Sequence, residues 1–324
     1  SGKSSKDASG SLRFASGDST TAATGTVNVI AGSSDTSIGG SVQFTTGSST
    51  VGQTGNINIQ AGTSQQNVGG SLLLNAGAST TETGGRVSIS SGVGTSSVSG
   101  SVTIASTTGD TLTGSVVVRT GEAQLNSGDL SMHTGIATLG SAQDISIQVG
   151  TAQQIGGNIL VQSGSSTDQT GGSLNMLSGT GTVSSGDVTF GSSDSPGGVS
   201  GAVKFTTGLS AAAQSGSILL SSGSSASGVG GDIVVAAGGS TSQTGGSISF
   251  RSGDNDSAVS GSLSLSTGTT LASASSGSIS IKTGDAEDGN VGNVRIATGD
   301  TVGEAAGSIS FVAGTSQSAV ASHL

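Results

Sequence analysis

Few side chains in this sequence can do chemistry. It has 324 residues, two histidines (His133 and His323) and no cysteine. A structural zinc site takes about four nitrogen or sulfur ligands, and no such set exists here. Carboxylates cluster in two places, Asp254-Asn255-Asp256 and Asp285-Ala286-Glu287-Asp288. Calcium takes roughly six to eight oxygen ligands. Asp254, Asp256, Asp285, Glu287 and Asp288 are therefore the candidate metal residues. Neither cluster carries the calcium-binding nonapeptide pattern G-G-x-G-x-D or the spacing of a helix–loop–helix site, and solvated acidic turns are the plainer reading. Asn255-Asp256-Ser257 is the one N-glycosylation sequon found.

Catalysis finds little support. Serine is everywhere, but no strand–turn–helix elbow presents one as a nucleophile. The Gly-x-Gly stretches lack the following helix that a phosphate cradle needs. Carbohydrate processing wants clustered acids or bases, commonly beside aromatic platforms, and the chain has no Trp and no Tyr. His323 is penultimate, and His133 falls at an outward position of the pattern described next. The expectation is a protein that is not an enzyme and uses no cofactor.

One unit recurs almost throughout. Written G-x-φ-x-φ-x-s-G, with φ apolar and s small, it begins at Gly10 (GSLRFASG) and returns at Gly25, Gly40, Gly55, Gly70, Gly85 and Gly100, always after 15 residues. It continues at Gly114, Gly128, Gln143, Gly157, Gly172, Gly186 and Gly201 in steps of 14 or 15. Gly216, Gly231, Gly246, Gly261, Gly277, Gly292 and Gly307 follow with one step of 16, making 21 units.

The two φ positions alternate with polar ones, the period-2 pattern of a half-buried strand. All six Phe (Phe14, Phe44, Phe190, Phe205, Phe250, Phe311) and both Met (Met132, Met176) occupy the second φ. Bulk held at one spot is what a stacked core requires, so these eight are the expected core. The terminal glycines suit a chain reversal. Pro196 has no N–H to donate and reads as loop. The expected fold is therefore all-β: a β-solenoid (parallel β-helix) over residues 10–314, between flanks at 1–9 and 315–324. Two units per 30-residue coil would bring φ pairs face to face. Through Gly100 the connecting segments alternate between endings such as SIGG at 37–40 and QTG at 53–55, which favours that coil; a 15-residue coil stays open. No unit folds alone, because two large side chains do not offset the ordering of fifteen residues. Stability would have to accumulate by stacking.

Net charge is −10, with charged residues only 9% of the chain. That disfavours nucleic acid, whose affinity rests on Lys and Arg contacts to phosphate. No apolar run approaches the roughly 20 residues that span a bilayer. Arg13, Arg119, Lys204, Arg251, Lys282 and Arg295 sit at outward strand positions, and the acids lie in the connecting segments or just after the opening glycine. Like charges stacked on one sheet face repel, which accounts for acids kept to the turns. The start at Ser1 rather than Met suggests processing or a fragment. The last units resemble internal ones, an expectation either of an excerpt from a longer array or of ends that stack on other copies.

Units such as GGSISFRSG and GGSLLLNAG resemble those of Ser/Gly/Thr-rich β-solenoid repeat proteins of microbial and algal surfaces. The resemblance covers residues 10 to 314 and is one of composition. It implies an extracellular or cell-surface structural or adhesive role and carries over no site residue. A second resemblance is to β-solenoid ice-binding proteins, which present ranks of Thr on one face. The Thr-x-Thr pairs here, such as Thr24/Thr26, Thr81/Thr83 and Thr111/Thr113, fall at different positions of the unit. The leading expectation is a rod or filament subunit, a homopolymer assembling end to end by β-stacking. The alternatives are ice binding and adhesion to a glycan, matrix or mineral.

Overall fold

A computed structural model describes residues 9–95, 97–270 and 274–315. His323 and most of both flanks lie outside the described residues. The chain divides into two units, Ser1–Leu160 and Val161–Leu324, and the repeat runs through each.

The expected β-solenoid is not what the structure contains. Among the described residues there is no helix and no strand. No side chain among the described residues is buried. The accessible surface is 32562 Å². A compact monomer of this mass exposes about 12,000 Å² and the fully unfolded chain about 44,000 Å². This is a low-complexity, disordered-like chain with local order in its turns. Phe14, Phe44, Met132, Met176, Phe190, Phe205, Phe250 and Phe311 form no core: they are 57–79% exposed.

The physical reason lies in what alternation encodes. A period of two prescribes which side chains share a face; it does not supply a neighbour for that face. With two large apolar residues per unit and polar connections, nothing obliges successive units to pair. The alternation survives only as a gradient: Val42 at a first φ is 47% exposed, while Val51 in a connecting segment is 99% exposed.

What recurs instead is a closed turn. In the first unit the N–H of Gly40 donates to the Gly32 carbonyl at 2.8 Å, and the same bond joins Gly70 to Gly62, Gly85 to Gly77 and Gly100 to Gly92. In the second it joins Gly172 to Gly164, Gly186 to Gly179, Gly231 to Gly223, Gly246 to Gly238 and Gly261 to Gly253. Each turn runs from a closing glycine to the next opening glycine, so the order resides in the polar connections. The chain also turns at Pro196, as expected of a loop.

Candidate functional site

The closed turn is built by three kinds of residue. The first is the opening glycine. A Cβ on Gly40 would stand 3.1 Å from the Ala31 Cβ and 3.2 Å from the Gly32 amide nitrogen. Gly70 and Gly85 meet Ala61 and Ala76 at 3.3 Å in the same way. The closing glycines differ: around Gly32, Gly47 and Gly62 a Cβ would meet nothing within 4 Å. Among the described residues only Gly303 has a positive φ, of 98°. Close approach, rather than a left-handed backbone, explains the opening glycine at Gly40, Gly70 and Gly85, whereas at Gly25 and Gly55 a Cβ would meet only ordinary contacts of 3.6 and 3.7 Å.

The second is the small residue s. It packs against the following opening glycine, which makes Ala31, Ala61, Ser163 and Ser252 half-buried in an otherwise exposed chain. Ser222 adds a hydrogen bond, its hydroxyl donating to the Gly231 carbonyl at 2.7 Å.

The third lies two residues after the closing glycine. The Ser34 hydroxyl oxygen accepts the N–H of Ser37 at 3.0 Å. Ser19, Ser49, Ser64, Ser79, Ser166, Ser210, Ser225 and Ser240 each accept from the residue three further on. A side-chain oxygen on a nearby N–H tightens a turn as a cap tightens a helix end. Asn255 takes the serine's place in its own turn, its Oδ1 accepting from Ser257 N at 2.8 Å and from Ala258 N.

The charged candidates are not assembled into a centre. Among the described residues no three of His, Asp or Glu come together as a metal-binding group. Asp254 is engaged by Arg251, whose Nη2 lies 2.6 Å from Oδ2 and 2.8 Å from Oδ1. Asp256, Asp285, Glu287 and Asp288 are exposed. His133 is exposed, with Nδ1 3.3 Å from the Ser131 hydroxyl.

One concavity in the described chain is apolar. In the first unit Phe14, Val27, Val29, Ile30 and Phe44, with Asn28, line an open groove of about 520 Å³. It gathers side chains from three successive repeats, the first, second and third. It contains no ionisable group, so it can shelter an apolar surface but offers nothing to transfer a proton or hold an ion.

No family model matches the chain, and neither a curated protein nor a solved structure matches it. Among the described residues no helix is long and apolar enough to cross a membrane.

Reading the pattern as strands left the turn machinery unseen. The signal was present: serine recurs every 15 residues at Ser19, Ser34, Ser49, Ser64 and Ser79, and again at Ser210, Ser225 and Ser240.

Proposed function

We propose that this chain is a structural repeat protein of the cell exterior that assembles with copies of itself, the apolar pairs of one copy covering those of another. One observation carries this reading: apolar pairs at a fixed position of 21 units stand in water along the described chain, with no interior to receive them. Extended apolar exposure of this kind marks a surface that associates. The groove between Phe14 and Phe44 is one such stretch.

Stacking of coils at the ends falls with the solenoid. The exposed pairs recur in every repeat, so association draws on surface along the chain and not on its termini. The polar turns, rich in Ser and Thr, stay hydrated between the contacts and space them evenly. The exterior location rests on composition alone: a Ser/Gly/Thr-rich chain that resembles surface repeat proteins. The role is mechanical, and no reaction or cofactor belongs to it.

Sedimentation velocity across a concentration series at near-neutral pH, with electron microscopy of the same samples, tests the proposal. Higher-order species that grow with concentration are expected. A single monomeric boundary at every concentration, with no assemblies on the grid, would sink it.

A further inference from the structure

We infer that Asn255 is an acceptor for N-linked glycan, a role that rests on the exterior location proposed above. Asn255, Asp256 and Ser257 form the asparagine–x–serine pattern of that modification. The pattern alone is weak, and the structure adds three observations. The sequon sits in a closed turn, Gly261 N–H donating to Gly253 O at 3.0 Å, with Asn255 and Ser257 both exposed. The Asn255 side chain is held by its oxygen alone: Oδ1 accepts Ser257 N–H and Ala258 N–H. Its amide nitrogen Nδ2 takes part in no hydrogen bond among the described residues, so the atom to be modified is the one left in solvent. Arg251 pairs with Asp254 at the edge of the turn, so one of the two carboxylates flanking Asn255 has a cationic partner.

The position is also unlike its equivalents. In nine other turns the capping residue is serine. Asparagine does the same capping with its oxygen and adds a nitrogen that serine lacks. A glycan here would project from a polar turn, away from the apolar pairs that self-association uses.

The step balances with an activated glycosyl pyrophosphate as donor. Nδ2 forms a bond to the sugar anomeric carbon, and the bond from that carbon to the phosphate oxygen breaks. The pyrophosphate leaves with the electron pair, and Nδ2 gives up one proton to a base of the transferring enzyme.

The test is to secrete the full chain from a eukaryotic host behind a cleavable leader and map its peptides by mass spectrometry. Sugar is expected on the peptide containing Asn255, removable by an amidase that leaves aspartate there. Loss of the sugar is expected in Asn255→Gln, and in Ser257→Ala, which keeps the capping oxygen. Ser257→Thr should retain it. An unmodified Asn255 in both the secreted parent and Ser257→Thr overturns the inference. Fractionation of the natural source separates this from the location: protein found inside the cell overturns the exterior placement, while the result on the secreted chain still decides the site.

Discussion

The Gly40 amide donates to the Gly32 carbonyl at 2.8 Å, and the two residues are eight apart. That bond and its eight counterparts are the most regular structure in the described chain. At Gly40 the closure depends on the absence of a side chain, since Ala31 and the Gly32 backbone stand within 3.3 Å of any Cβ.

Gly40→Ala should therefore open its turn, whereas Gly47→Ala, with nothing within 4 Å of its Cβ, should leave the chain unchanged. A backbone hydrogen bond contributes about 1 kcal/mol net, so the residue-40 amide should exchange with solvent about five-fold faster in the first variant. Exchange measured by NMR checks both. Equal effects from the two substitutions would mean that close approach is not what the opening glycine provides.

Ser34→Ala removes the oxygen that holds the Ser37 N–H. Losing such a cap typically costs about 1 kcal/mol. Faster exchange of the residue-37 amide is expected, with neighbouring turns unaffected. Ser34→Asn should restore protection, because Asn255 does the same work in its own turn.

Phe44→Asp tests the exposed pairs. Phe44 is not buried, so a carboxylate there displaces no core and should leave the Gly32–Gly40 turn closed. It places charge in the groove shared with Phe14 and Val29, where a covering copy would have to desolvate it. Self-association should weaken markedly by sedimentation, while Arg251→Ser should alter it little. An unfolding transition lost on Phe44→Asp would indicate an interior after all.

Calcium should give no heat by calorimetry. Asp285, Glu287 and Asp288 are exposed and not gathered into a site, and Asp254 is held by Arg251. Saturable heat, abolished by Asp285→Asn, would show that the acidic turn closes around the ion.

The repeat unit, its boundaries and its turn positions were legible in the sequence, because glycine and serine at fixed spacing have local causes. Gly40 faces Ala31 and Ser34 caps Ser37 within a dozen residues of chain. The absence of a β-solenoid was not legible, because that fold required Phe14 or Phe44 to find a partner across a core, and no local pattern says whether such a partner exists. The same residues that looked like a core, confined to the second φ, line an open groove. At the candidate site, the sequon at Asn255 was visible from residue types, but its oxygen-held, nitrogen-free geometry needed coordinates. The acidic clusters were equally visible, and Arg251's hold on Asp254 was not.

The closed turns also set how the chain would answer a pull. Each closure keeps its two glycines within hydrogen-bonding reach, although the eight backbone steps of all but the Gly179–Gly186 closure, drawn taut, would span about 26–29 Å. Under tension the closures would give way one at a time, each releasing slack for the loss of a few hydrogen bonds, the glycine closure and the side-chain cap within it, and would re-form when the load is removed. A chain built this way yields before its covalent backbone is strained, and its toughness rests on the glycines that close its turns.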